Sequence, residues 1–373
     1  MKKIISLFFI LASIGFVFSF FTSAEDDNHQ TKFNDNYAIF SPNQPDLIGF
    51  AGEKMPLEQE DIKERFDREL LVNTYWQSQT VLFVKKAHKY FPVIEPILKE
   101  EGIPDDFKYL AIAESGLANI VSPSGATGFW QIMKATGKEN GLLIDNEIDE
   151  RYHLAKSTLA ACNYLNEAYV KFGSWTLAAA SYNMGKTGLA KQMKRQNASN
   201  YYDLLLNDET SRYIFRIAAI KEILKNQKTY GFHIREKELY NLPPLHHILL
   251  DSSVSNFADY ALDLNINYKI LKEYNPWLRQ AELKNTANFA YFINIPDEGY
   301  YISKNKTQLI ENVEIKERLN LDTIKIEINK TTAVKKVAEM NEIDLEELIL
   351  QNIDVLDIKA KKGQELQLIK ERN

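Results

Sequence analysis

Cysteine is nearly missing from this chain. Cys162 stands alone among 373 residues, which excludes an intrachain disulfide and a cysteine cluster for zinc. Its neighbours Leu159, Ala160, Ala161 and Leu165 are apolar at helical spacing, so it reads as a buried small hydrophobe. Histidine is scarce, with six residues and no helical HExxH pair. His246 and His247 are adjacent, so a strand would point them to opposite faces; a surface pair is the expectation. Neither a metal nor another cofactor is expected. Excess positive charge is also lacking: 45 Lys and Arg face 51 Asp and Glu, a net charge of −6. That argues against nucleic acid or an anionic membrane surface as a partner. Aromatics, by contrast, are plentiful, with 19 Tyr and 20 Phe. They suit stacking on sugar faces and equally suit well-filled cores.

Lys2 and Lys3 precede a mainly apolar run, Ile4–Phe21, and Thr22-Ser23-Ala24 follows before acidic Glu25-Asp26-Asp27. Charged start, apolar middle and small-residue end read as a secretory signal cleaved after Ala24. The run is long for such a signal, and an uncleaved membrane anchor competes with it. No cysteine lies near the site, which speaks against a lipid anchor. Residues 25–55 read as extended and weakly structured. From Leu57 the pattern is helical, with Phe66, Leu70, Leu71 and Tyr75 recurring at helical spacing. Val81–Tyr90 and Pro92–Glu101 continue it.

The stretch Ala113–Met133, AESGLANIVSPSGATGFWQIM, carries the chemistry. Glu114 ends an apolar helical run, Phe107–Ala113, and Gly116 is the stop signal. Pro104, Asp105 and Asp106 suit the first turn of that helix. A carboxylate at a helix C-terminus meets an opposing dipole, and shielding by Phe129 and Trp130 would raise its pKa further. A carboxyl group kept protonated near neutral pH can act as a general acid. Gly125, Ala126 and Gly128 leave room for a ligand beside it. A glycine turn followed by an apolar helix start is the plainer reading of GATGFW.

Asp145, Glu147, Asp149 and Glu150 form an acidic turn in which a second catalytic carboxylate could sit beside a general acid. A solvated loop with Asp149 and Arg151 as capping or ion-pair partners is the favoured reading. Leu154–Phe172 is helical with a small-residue face. Gly173-Ser174-Trp175 breaks it, and Thr176–Tyr182 is a short Ala-rich helix ending in Ser181-Tyr182-Asn183-Met184-Gly185. Glu209–Tyr213 starts another helix. Composition shifts beyond Tyr230-Gly231, and Pro243-Pro244 marks a linker. Behind it lies an internal repeat: Phe257–Pro276 aligns with Val334–Ile353, pairing Ala261 with Ala338, Ile266 with Ile343, Leu271 with Leu348 and Asn275 with Asn352. Strand-like runs bracket each copy, Leu245–Leu250 with Tyr291–Ile295 and Thr323–Ile328 with Glu365–Ile369. Each unit is strand–helix–helix–strand and about fifty residues long, near the lower limit for independent folding. Gly299–Leu321 joins them and reads as partly helical around Gln308–Arg318.

The order Glu114-Ser115, SPSGATGFWQIM, Thr136-Gly137 and Tyr182-Asn183-Met184-Gly185 resembles the catalytic domain of the soluble lytic transglycosylases, a lysozyme-like family acting on peptidoglycan. More narrowly, the chain is similar to the membrane-bound D type, in which sugar-binding LysM modules follow the enzyme. The Ser115–Ser122 loop is about a residue shorter than the commonest family version, Ser181 stands where Ala is usual, and Ala281–Asn288 replaces a glycine turn in the first repeat copy. The resemblance implies a multidomain chain with a mainly α, lysozyme-like catalytic domain followed by two small α+β (βααβ) LysM-like modules. The expected segments are a signal peptide (1–24), an N-terminal extension (25–75), the transglycosylase domain (76–231), a degenerate first module (245–297), a linker (298–322) and a second module (323–371).

The family's single catalytic acid falls on Glu114, and DERYHLAKST resembles a structural segment of the family. Ser122, Gln131, Met133, Tyr182, Asn183 and Tyr213 would line the groove; without the resemblance Tyr213 reads as a core aromatic. The implied reaction cleaves the MurNAc–GlcNAc bond and leaves a 1,6-anhydromuramyl end. Peptidoglycan glycan strands would be the partner, the cell envelope or periplasm the location, and the N-terminal apolar segment a means of membrane association. A hydrolytic muramidase using Asp145 or Asp149 as base and a non-catalytic wall-binding protein are the alternatives.

Overall fold

Helical periodicity accounts for most of what the chain builds between residues 60 and 225. Ile62, Phe66 and Leu70 bury one face of α1 (Glu60–Tyr75), and Phe83, Val84, Ala87, Ile94 and Leu98 do so for α2 (Gln77–Glu100). In this computed structural model, described over residue 31 and residues 41–285, 289–297, 321–327, 332–340, 359–360 and 365–371, the chain divides into two units, Met1–Asn43 and Gln44–Asn373. All the elements named here belong to the second. The leader, Asn34–Asn43 save its last residues, and the Gln308–Arg318 segment lie outside the described residues.

A small hairpin, β1 (Gly49–Phe50) and β2 (Glu53–Lys54), comes first. After α2, a single turn of 3-10 helix at Asp105–Phe107 runs into α3 (Lys108–Ser115). A long loop then leads to α4 (Lys134–Glu139). α5 (Leu154–Phe172) ends at Gly173 in the left-handed region, φ 68°, where a side chain would be strained. α6 (Trp175–Met184) is capped by Ser174, and the Glu53 carboxylate accepts from the backbone N–H of Trp175 and Thr176 at 2.6 and 3.0 Å. That places a negative charge on the positive end of the helix dipole. α7 (Lys186–Gln196) and α8 (Asp208–Lys225) complete the helical body.

α8 lies at its centre. Ile214, Phe215, Ile217, Ala218 and Ala219 are fully buried in one cluster that also takes in Phe107, Leu110, Trp130, Ala161 and Leu177. Each large apolar side chain buried this way contributes roughly 1.5–3 kcal/mol. Cys162 is buried in the same cluster, as expected of a small hydrophobe.

The stretch expected as an N-terminal extension, residues 25–75, contributes Ile48, Phe50, Met55, Ile62, Phe66 and Leu70 to the main cluster. Glu69 of α1 is also fully buried and pairs with Arg212 of α8 at 2.7 Å. A buried carboxylate needs such partners, so α1 packs as part of the helical body. The GATGFW stretch likewise does not start a helix; Gly128–Gln131 is a turn, and the next helix waits until Lys134.

The first repeat copy folds as β3 (Leu245–Leu250), α9 (Phe257–Asp263), α10 (Tyr268–Tyr274) and β4 (Tyr291–Pro296), with the strands antiparallel and Leu245 opposite Pro296. Ala261, Ile266, Leu271 and Asn275, the residues aligned in the repeat, are all buried. On β3, His246 meets Asp297 while His247 meets Asn294, on the two faces expected of neighbours in a strand. In the second copy β5 (Leu321–Glu327) pairs antiparallel with β8 (Glu365–Glu371), and β6 (Thr332–Ala333), α11 (Val334–Met340) and β7 (Lys359–Ala360) lie between them in sequence. β5 begins two residues before the expected start of this module; the segment expected to form its second helix and the aligned residues 343, 348 and 352 fall outside the described residues.

Candidate active site

Glu114 occupies the last turn of α3, and Gly116 ends that helix in the left-handed region at φ 61°. Leu110, Ala111 and Ile112 anchor it in the core. The carboxyl group is half-buried. Burial pushes its pKa up to about 7; the Tyr213 hydroxyl pulls it down, Glu209 raises it and Arg216 lowers it. A carboxyl group in that range holds a proton for part of the time at neutral pH and can both give and take one.

Tyr213, on the first turns of α8, donates its hydroxyl to Oε1 of Glu114. The ring is buried, and burial and the neighbouring carboxylate hold the phenol well above its ordinary range. It therefore donates without ionising. One turn further along α8, Arg216 stands 3.7 Å from Oε2 of buried Glu69. A line of charge thus runs from α1 through α8 to the acid.

Tyr182 lies in the last turn of α6. Its hydroxyl donates to the Trp130 carbonyl at 2.7 Å, and its ring meets Tyr164 edge-on at 5.3 Å. Burial and Glu114 both raise its pKa. Trp130 itself is core; its indole N–H donates to Thr158 at 2.8 Å, and Phe129 packs edge-on against Tyr90. The aromatic side chain bonded directly to Glu114 is Tyr213.

The loop between α3 and α4 is held at many points. Thr127 bridges to Val121 and to Ile132. Ser115 donates to the Phe129 carbonyl at 2.7 Å and accepts from the Ala118 N–H, tying the acid's helix to the loop. Leu117 and Gln131, near its two ends, both have left-handed backbones, with φ 52° and 47°. Such conformations cost non-glycine residues of order 1–3 kcal/mol and gather at functional sites. At Gly128, φ is 82° and an added Cβ would lie 2.0 Å from the Arg151 carbonyl oxygen, so only glycine fits.

The other expected groove residues fall into two groups. Met133 is exposed. Ser122, Gln131 and Asn183 use their polar atoms within the fold. Ser122 Oγ accepts from the Ala126 N–H at 3.0 Å, and Gln131 Nε2 donates to the Gly128 and Ile120 carbonyls at 2.8 and 3.1 Å. Asn183 accepts from Thr210 Oγ1 at 2.7 Å and donates to Glu209 at 3.1 Å, joining α6 to α8.

None of the acidic-turn carboxylates stands free. Asp149 takes a two-pronged pair from Arg151, at 2.9 and 2.7 Å. Asp145 caps the Glu147 and Ile148 N–H groups, Glu150 accepts from the Leu143 N–H and pairs with Lys156, and Glu147 accepts from Lys284. Among the described residues, no three His, Cys, Asp or Glu side chains gather as a metal site.

Glu69, Glu209 and Arg216 were not singled out by sequence. Arg216 follows Tyr213 by three residues and so shares its helix face, a signal that was there to be read. Glu69 gave none, because its role depends on a contact between helices far apart in the chain.

Residues 91–205 match the Transglycosylase SLT domain, and residues 246–299 match the Soluble lytic transglycosylase C-terminal LysM-like domain. Glu114, Ser122, Gln131, Met133, Tyr182 and Asn183 all fall inside the first match; Tyr213 lies beyond it. Two curated proteins named membrane-bound lytic murein transglycosylase D, from Escherichia coli strain K12 and from E. coli O6:H1 strain CFT073, are each 27% identical over 263 residues. The alignment covers 68% of this chain and 56% of each relative, so the chain spans about half the length of the curated relatives it matches.

Proposed function

Because residues 91–205 carry a Transglycosylase SLT domain and a LysM-like domain follows, we propose that this chain is a peptidoglycan lytic transglycosylase with Glu114 as its acid and base. Glu114 gives its proton to the oxygen that links N-acetylmuramic acid to N-acetylglucosamine, and the C1–O bond breaks. The substrate's 2-acetamido group carries the positive charge that develops at C1, as in substrate-assisted glycosidases. The ionised Glu114 then takes the proton of the C6 hydroxyl while O6 bonds to C1. The product end is a 1,6-anhydromuramyl sugar. No water is consumed, so the step is that of a lyase.

One observation carries this reading: Glu114 is held near pKa 7 and bonded to Tyr213, while Asp145 and Asp149 are engaged elsewhere. A hydrolytic muramidase would want one of those as a base for water. Tyr182, Gln131, Met133, Ser122 and Asn183 shape the groove, the polar three chiefly by bracing it. Glycan strands are the substrate, and the second repeat module adds a further contact to them. The Lys2–Ala24 leader directs export to the cell envelope, and the mass of the mature protein tests cleavage after Ala24. Among the described residues no helix is long and apolar enough to cross a membrane.

Purified protein incubated with cell-wall sacculi should release soluble fragments whose muramyl ends weigh one water less than reducing ends. Glu114→Gln should release none while folding normally. Fragments with reducing ends would favour hydrolysis, and absence of fragments from the unaltered protein would favour a binding role.

A further inference from the structure

The loop Asp145–Tyr152 has two sides, and each grips a different part of the molecule. On one side Arg151 donates to the carbonyls of Gly125 and Ile132 at 3.1 and 3.2 Å, and its own carbonyl seats Gly128. Those residues belong to the loop beside Glu114. On the other side the loop meets the Pro276–Lys284 segment of the first repeat module. The Asp149 N–H donates to the Trp277 carbonyl at 3.0 Å, and the Arg279 N–H donates to the Glu147 carbonyl at 2.7 Å. Ile148 forms a bridge with Leu278 and is buried in the module's own core. The Arg279 guanidinium sits 3.9 Å from the centre of the Tyr152 ring, and Gln280 donates to the Asn146 carbonyl at 2.8 Å.

We propose that the first repeat module is a positioning element for the catalytic loop: its Trp277–Gln280 segment holds Asp145–Tyr152, which in turn holds Gly125–Ile132 beside Glu114. This rests on the transglycosylase reading of Glu114. Three features carry it beyond ordinary packing. The contact is made by backbone pairing, which fixes register as well as proximity. The module's hydrophobic core is not closed without Ile148, so the two parts share a core. The same short loop is bonded on both faces, by the Asp149 N–H to Trp277 and by Arg151 to Gly125 and Ile132, from residues two apart. A freely tethered sugar-binding arm would show none of these. Arg279, Leu278 and Trp277 are therefore positioning residues; none of them touches the acid.

The test uses the full chain and short soluble glycan strands. Arg279→Glu puts a carboxylate over the Tyr152 ring at an exposed position and should leave the fold intact. Its kcat should fall about threefold or more with KM little changed, since small misplacements far from the chemistry lower the rate of the bound complex. Arg279→Lys, which keeps the cation, should restore it. Leu278→Asp should lower kcat about tenfold. The pH dependence of the acid should be unmoved in these variants. Amide exchange over residues 119–133 should quicken in Leu278→Asp, a readout that needs no turnover. Wild-type kcat in Arg279→Glu, or a rise in KM alone, overturns the proposal. If Leu278→Asp does not fold, Arg279→Glu decides. Failure of the unaltered protein to cleave any strand would be a separate result, removing the reading of Glu114; unchanged exchange in a folded Leu278→Asp would then still overturn the brace.

Discussion

Tyr213, 99 residues downstream in the chain, donates its hydroxyl to Oε1 of Glu114. That bond favours the ionised acid, whereas burial and Glu209 favour the protonated one. The balance between them sets where the acid titrates.

Two substitutions should therefore move the alkaline limb of activity in opposite directions. Tyr213→Phe removes a group that lowers the Glu114 pKa, so the limb should rise above pH 7 while kcat falls. Glu209→Gln removes a charge that raises it, so the limb should fall, by less at high salt because Glu209 is exposed. pH–rate profiles on soluble glycan strands check both. Shifts in the same direction would contradict this account of the site.

Stability should carry the same signature. The folded-state pKa of Glu114 lies above its ordinary value of 4.5, at about 7. A raised carboxyl pKa means that folding favours the proton. The contribution is full below pH 4.5 and is lost as pH rises towards 7. A shift of this size corresponds to roughly 3 kcal/mol at most. Glu114→Gln cannot ionise, so its melting temperature relative to the unaltered protein should be higher at pH 8 than at pH 4.5. Parallel melting curves across that range would show the assignment to be wrong.

Gly128→Ala should fold poorly or lose activity. The position needs a left-handed backbone, costing roughly 1–2 kcal/mol for alanine, and the new methyl would meet the Arg151 carbonyl. Gly125, also left-handed at φ 86° but with open space around it, should tolerate alanine better. Denaturant midpoints for the two variants give the comparison.

A chain cut to start at residue 76 should not fold. It loses α1, the Phe66 and Leu70 contacts, and the buried partner of Arg212 and Arg216. Glu69→Ala isolates the last of these effects and should cost less than the roughly 3–5 kcal/mol of a fully buried pair, because the Arg212 and Arg216 side chains left behind keep 32% and 29% of their surface in solvent. Solubility and circular dichroism test the truncation, and urea denaturation tests the point variant.

Much of the fold around the site was legible because it rests on local rules, whereas the site residues themselves were named by the resemblance of their motifs. Gly116 could end α3 only with the left-handed conformation that glycine accepts, which placed Glu114 at a helix end. The Leu154–Phe172 helix was bounded by its apolar spacing and by Gly173. The repeat showed itself through matched positions, and Ala261, Ile266, Leu271 and Asn275 are the ones buried. Asp149 and Arg151 are two residues apart, close enough for sequence to favour an ion pair over a second catalytic group.

The chain order alone thus determined most helices and the turn glycines, since each follows from spacing within a few residues, while the candidate acid was marked by the resemblance of its motif and the repeat by matched positions far apart in the chain. The resemblance named Tyr213 for the groove, but only the tertiary structure decided that its hydroxyl meets the acid and that Arg216, Glu209 and Glu69 join the surrounding charges. These groups reach Glu114 or one another across gaps of many residues, and burial, which sets the proton affinity of Glu114, exists only once separate helices pack. The same holds for the joint at Ile148 and Leu278. Their pairing is a contact between surfaces, and local spacing holds no record of which surfaces will meet.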